Sequence, residues 1–198
     1  AGTWGRFIDA PTLYFSLWRD HGERFSLLGD MSEPEYGLKS GANKFFFVPR
    51  PGSENNRHQS DMDPSTGELL LHHKETGRDF RIEPEYWMKP ISEVPEEYQS
   101  QFSYTYTDEN GQTLIPDLIL VKNREIKTSP IEPKHLNNVH IAISDSRNEL
   151  ESNNANALEY VEFGEETRWG RGSDSTLSGR SSLRNRTPEW YSQPTVND

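Results

Sequence analysis

Side chains able to bind an anion or read a base gather in two stretches. In the first, residues 37–44 read Gly-Leu-Lys-Ser-Gly-Ala-Asn-Lys. Lys39, Ser40, Asn43 and Lys44 carry donors there, and Gly37 and Gly41 bracket them. A lysine can neutralise a phosphate, and an asparagine can pair with both edge groups of an adenine. The order Gly-x4-Gly-Lys-Ser/Thr of a nucleotide-binding Walker loop is absent, so no nucleoside triphosphate is assigned to it. A bland reading stands beside this one: a turn whose glycines take positive φ, with Asn43 bonded to backbone.

The second stretch is basic. Arg168, Arg171, Arg180, Arg184 and Arg186 are interrupted by one acid, Asp174, with Gly, Ser and Thr filling the gaps. Trp169, Trp190 and Tyr191 lie beside them. Arginines on a flexible backbone with aromatic neighbours suit phosphate contacts, base-edge contacts and stacking. A disordered polar tail fits the same residues equally well. What favours anion contact is the contrast with the rest of the chain, whose formal net charge is −11.

Other chemistries find less support. His72 and His73 are neighbours, so on a strand they point to opposite faces. His58, His135 and His140 show no metal-ligand spacing. There is no cysteine, which excludes disulfides and thiolate metal sites. No Gly-x-Ser-x-Gly elbow suggests a hydrolase. Pro116-Asp117 is followed too soon by Glu125-Ile126-Lys127 for a restriction-type nuclease site, so a metal-dependent nuclease is the third-ranked alternative.

The 198 residues suffice for one sizeable domain, and they begin at Ala1, which reads as a fragment or a processed product. Hydrophobic residues make up 31% and aromatics 11%, so a core must be built on rings. Arginine outnumbers lysine fourteen to seven under an acidic total, the pattern of a halophile's protein. No stretch approaches the roughly 20 apolar residues of a membrane helix, and no secretory pattern opens the chain.

These residues need elements to position them. Ala10, Leu13, Tyr14, Leu17 and Trp18 form one apolar stripe of a helix over residues 9–21, with Gly22 ending it. A strand is expected over 45–48, its phenylalanines anchoring the glycine-bracketed loop. Residues 49–67 read as loop. Residues 68–72 and 78–82 flank Lys74-Glu75-Thr76-Gly77 as a hairpin. Residues 83–90 read as one helical turn between prolines. Residues 91–116 read as an exposed acidic insertion, with a local hairpin at Asp108-Glu109-Asn110-Gly111. Strands follow over 117–122 and 138–143, then a helix over 154–163 with Ala157, Leu158 and Val161 inward. Residues 192–198 read as a frayed tail.

Five segments resemble, in order, a known family. Trp4-Gly5-Arg6-Phe7-Ile8-Asp9-Ala10-Pro11-Thr12-Leu13-Tyr14-Phe15 is similar to the segment after the catalytic domain in many adenine-specific DNA methyltransferases. The stretch from Leu28-Gly29-Asp30 through Tyr36-Gly37-Leu38-Lys39-Ser40-Gly41-Ala42-Asn43-Lys44-Phe45-Phe46 resembles the opening of their target recognition domain. Residues 82–91, residues 156–165 and the final Ser181-to-Tyr191 segment, with Arg186 and Trp190-Tyr191, resemble the turn, the late helix and the terminal Arg-x-x-Trp-Tyr signature.

That resemblance implies an α+β, target-recognition-like domain over 1–191, with small mixed sheets and flanking helices, similar to the recognition domains of type I restriction specificity subunits. It implies double-stranded DNA as partner, beside the catalytic methyltransferase domain of the same polypeptide, in the cytoplasm and with no membrane. Lys39, Ser40, Asn43, Lys44, the five arginines, Trp190 and Tyr191 are then the DNA-facing residues. The family's Asn/Asp-Pro-Pro-Tyr/Phe motif and its Gly-rich loop are absent here. This chain is therefore expected to be non-catalytic and without cofactor, S-adenosylmethionine belonging to the parent protein. Asp9 stands where the family usually has Arg nearby, so that contact does not carry over. An acidic protein-interaction module that binds no nucleic acid is the second-ranked alternative.

Overall fold

In a computed structural model the structure describes residues 12–24, 40–122, 131–153, 155–169 and 176–192. The chain divides into two compact units, Ala1–Leu38 and Lys39–Asp198, where the sequence reading runs one domain from 1 to 191.

In the first unit α1 spans Thr12–His21, and Gly22–Arg24 follows as a 3-10 turn. Gly22 stops the helix as expected. Leu17 and Trp18, expected on a packing stripe, are exposed.

The second unit is mixed α+β, with three small antiparallel sheets and few helices. It opens with α2 (Asn43–Phe46), a single turn, where a strand was expected from 45. The Phe45 and Phe46 N–H groups both donate to the Ala42 carbonyl, at 2.8 and 3.2 Å. The Ser40 hydroxyl accepts from the Ala42 N–H and donates to Asn43 Oδ1. Local hydrogen bonds of this kind outweigh the strand preference of an aromatic run. The turn still drives both rings into the core, and Phe47 opens β1 (Phe47–Pro49).

The largest sheet has β2 (Ser53–Glu54), β3 (His58–Met62), β4 (Leu69–His73) and β5 (Arg78–Ile82) in that order. The β4–β5 hairpin is the expected one, with Gly77 at φ +69 closing its turn. Period-two alternation turns Leu69, Leu71, His73, Phe80 and Ile82 inward. The expected loop over 49–67 contains β2 and β3. The buried face of β3 is His58, Ser60 and Met62, whose polarity hides the alternation. The register sets His58 directly opposite His73.

Residues 83–90 divide into a 3-10 turn, Pro84–Tyr86, and β6 (Met88–Pro90). After α3 (Glu96–Gln99) come β7 (Tyr106–Thr107) and β8 (Thr113–Pro116), and β8 lies between β6 and β7. Residues 91–116 are thus built into the fold and are not a detached insertion. Ile115 is fully buried, and Tyr104, Tyr106 and Leu114 press on the core, while Glu93, Glu96, Glu97 and Glu109 stay exposed. The Asp108–Gly111 turn forms as expected, with the Gly111 N–H donating to the Asp108 carbonyl.

β9 (Leu118–Ile119) and β10 (Asn138–His140) complete the third sheet in the order β1-β10-β9. Val139, Ile141 and Ile143 face the core as predicted, although the ladder ends at His140. α4 (Arg147–Ser152) begins with a Ser146–Glu149 capping box. α5 (Ala157–Glu166) buries Ala157 and Val161, while Leu158 is only partly covered. Its N-terminal N–H groups, those of Asn156 and Ala157, are taken by the Glu83 carboxylate. Among the described residues no helix is long and apolar enough to cross a membrane.

Candidate nucleic-acid interface

The two sequence stretches meet. Gly41 takes φ +64, and a Cβ there would lie 2.9 Å from Ser182 Oγ and 3.0 Å from Leu183 Cδ2. Glycine therefore answers both the backbone conformation and the close approach of the C-terminal segment. Arg180 reaches back across the same contact, its Nη1–H donating to the Gly41 carbonyl at 3.3 Å.

Asn43 and Lys44 are exposed and stand at the lip of two neighbouring concavities. One, of about 300 Å³, is bounded by Gly41, Trp169 and Arg180. The other, of about 550 Å³, runs between Lys44, Arg57, His58, Lys122, Asn137 and Asn138. Glu54 lines it too, with its carboxylate held by Lys74 at 2.6 Å. Cations and amides thus dominate a hollow on an acidic chain.

Several sequence-assigned residues do other work. Ser40 is fully buried and its hydroxyl is spent inside the loop. Asn43 keeps its amide NH2, but its Oδ1 is engaged by Ser40. Trp190 and Tyr191 are core residues and not a stacking surface. The Trp190 Nε1–H donates to Glu165 at 2.9 Å, and its ring meets Tyr191 edge-on at 5.5 Å. Burial pushes the Tyr191 phenol up. Arg186 is a half-buried clamp: its Nη1–H donates to the Ser192 carbonyl at 2.9 Å, and its guanidinium lies 5.8 Å from the Phe46 ring centroid. Burial lowers its pKa. Arg168 and Arg184 are exposed. Lys39 and Arg171 lie outside the described residues.

Residues that sequence reading missed sit under the lip. The His58 and His73 rings are 5.0 Å apart, and Trp169 stacks on His58 at 6.2 Å and lies tilted to His73 at 6.0 Å. The Arg57 guanidinium lies 5.7 Å from the Trp169 ring. Burial, then His73 and Arg57, push the His58 pKa down to about 3. Burial and Arg57 also lower that of His73. Both imidazoles are therefore neutral at pH 7. The only sequence signal was the spacing that pairs 58 with 73 across a hairpin whose first strand fell in the stretch read as loop.

Asp117, weighed above as a nuclease carboxylate, lies between Lys89 at 3.0 Å and His140 Nδ1 at 3.3 Å. Burial raises its pKa, but the hydrogen bonds from His140 and Lys89 outweigh that and hold it low. Among the described residues no group of three or more His, Cys, Asp or Glu is arranged to hold a metal.

No protein family, curated protein or solved structure matches this chain.

Proposed function

We propose that this chain is a double-stranded DNA recognition module of an adenine-specific DNA methyltransferase of the restriction-modification kind, without the catalytic domain itself. In this reading the fold is a target recognition domain similar to those of type I specificity subunits. The observation that carries it is the shared lip: Asn43 and Lys44 bound two concavities whose other cations are Arg180, Arg57 and Lys122, on a chain of net charge −11. Positive charge kept at one place on an acidic surface concentrates an anionic partner there. The ordered resemblance of the five sequence segments supplies the particular class.

Within this reading Lys44 and Arg180 anchor phosphates, and the Asn43 amide NH2 reaches a base edge. Arg184 and Arg168 extend the contact. The site holds no chemistry of its own: S-adenosylmethionine and the methyl transfer belong to the parent's catalytic domain, in the cytoplasm. The experiment is selection from a randomised duplex pool, followed by anisotropy titration of the enriched sequence over a salt series. Enrichment of one sequence, with affinity falling as salt rises and lost in the Lys44→Glu/Arg180→Glu variant, supports the reading. No enrichment, and flat isotherms at every salt at which the chain is folded, overturn it.

A further inference from the structure

Arg57 was not among the residues singled out in the sequence, yet its guanidinium carries a buried, unpaired nitrogen on the wall of the larger concavity. Its Nη1 is buried and has no hydrogen-bond partner. The Glu75 carboxylate is 3.9 Å away, beyond the reach of a charge-assisted hydrogen bond. The guanidinium lies against Trp169, so the fork is held in one orientation before anything binds.

The packing behind it is rich in polar ring atoms. His73 Nδ1 accepts from the Thr76 N–H at 3.3 Å and meets the Thr76 hydroxyl at 2.9 Å. That leaves the ring proton on Nε2, as a donor. His73 Nε2, Trp169 Nε1 and His58 Nε2 are all buried without a hydrogen-bond partner. Buried polar atoms nearly always find partners, and of these side chains Arg57 and His58 line the larger hollow, where a ligand that accepts would answer the guanidinium. A cation is excluded by Arg57. An apolar group would leave every donor unpaired. An oxyanion supplies several acceptors and a balancing charge.

We propose that Arg57, with His58 beside it, forms a discrete oxyanion site that takes a single phosphate group, with Lys44 and Lys122 on its rim. The hollow of about 550 Å³ has room for the group and for the nucleoside attached to it. The competing carboxylate, Glu54, is engaged by Lys74. The phosphate can be free or part of a nucleic-acid backbone, since the chemistry that recognises it is the same. The site goes beyond the DNA reading and does not rest on it.

The test is a ¹H–¹⁵N titration of the whole chain with inorganic phosphate at constant ionic strength, followed at the Trp169 indole N–H. A nucleoside 5′-monophosphate and a short duplex form the second and third arms. A saturable shift of that indole, weakened roughly ten-fold or more in Arg57→Gln and unchanged in Arg81→Gln, is the expected result. Arg81 is a fair control, because it does not line this hollow and is bonded to Glu68 at 2.7 Å. Should Arg57→Gln fail to fold, Lys122→Gln on the exposed rim decides, with weakened phosphate binding expected. A linear, unsaturable shift in the wild type, or equal affinity in the wild type and the rim variant, overturns the site. Phosphate binding without duplex binding upholds this site and removes the DNA reading. Duplex binding without a phosphate response at Trp169 does the reverse.

Discussion

Tyr160 donates its phenolic O–H to the Phe45 carbonyl at 2.8 Å while its ring stacks on that same residue, 4.4 Å between centroids and 8° from parallel. One residue of α5 thus satisfies the backbone and covers the side chain of the turn that carries Asn43 and Lys44. Tyr160→Phe keeps the stack and orphans a buried carbonyl. The expected loss is about 1–3 kcal/mol, read as a lower urea midpoint with an unchanged slope.

The Phe45 ring is also approached closely by a glycine. A Cβ on Gly164 would lie 2.7 Å from Phe45 Cε2 and 2.9 Å from Trp190 Cη2. Neither ring can swing away, since Phe45 also meets Phe46 edge-on at 5.0 Å and Trp169 at 5.4 Å. Gly164→Ala therefore overpacks the core, at a cost of about 1–3 kcal/mol. Gly77→Ala is the comparison: it has open space around it and only its φ of +69 to lose, worth roughly 1–2 kcal/mol. Thermal melts of the two separate crowding from backbone strain, because only Gly164→Ala should also disturb the near-ultraviolet signal of the aromatic cluster.

The phenylalanine anchor, the β4–β5 hairpin and α5 were legible because each carries an unbroken local pattern: aromatic run, alternation around a turn, or helical spacing. β3 was not, since its inward positions are His58, Ser60 and Met62, and two of these read as polar. The site was legible in part. Lys44 and Arg180 could be named by type, and a close glycine contact joins their segments. Trp190 and Tyr191 were misplaced because an aromatic pair beside arginines looks alike whether it stacks on a ligand or fills a core. Arg57 and the His58–His73 pair were invisible, because only strand register brings 58 opposite 73.

That pairing gives the fold a pH dependence. The unfolded His58 titrates near its ordinary 6.5, and the folded one near 3. Above pH 6.5 neither state binds the proton and stability is level. Below it the unfolded chain takes up a proton that the folded chain refuses, so stability falls as pH falls towards 3. At about 1.4 kcal/mol per unit, the fall between pH 7 and pH 5 is about 2 kcal/mol from His58 alone. His73 is shifted the same way and adds to it. Asp117, held low, contributes a loss only at lower pH. Urea melts from pH 7 to pH 5 should show this slope, and His58→Asn should flatten it. An equal slope in that variant refutes the assignment.

Two arginines from one basic segment should separate cleanly. Arg186 sits half-buried over Phe46 and bonds the Ser192 carbonyl, so its guanidinium tethers the chain's last described turn to the core. Arg180 bonds the Gly41 carbonyl at the mouth of the smaller concavity and remains partly open to solvent. Arg186→Ala strips packing and a charge-assisted hydrogen bond from a partly buried place, and should cost about 1.5–3 kcal/mol of stability. Arg180→Ala loses one long, solvent-accessible bond and should cost about 0.5–1 kcal/mol. Under the DNA reading the order reverses for binding. Arg180→Ala should weaken the duplex several-fold and lower the salt slope by about one unit, whereas Arg186→Ala should bind with an unchanged slope wherever it is folded. Paired urea melts and salt-series titrations of the two variants measure both orders at once. A matching fall in stability and salt slope in each would return the whole segment to a structural role.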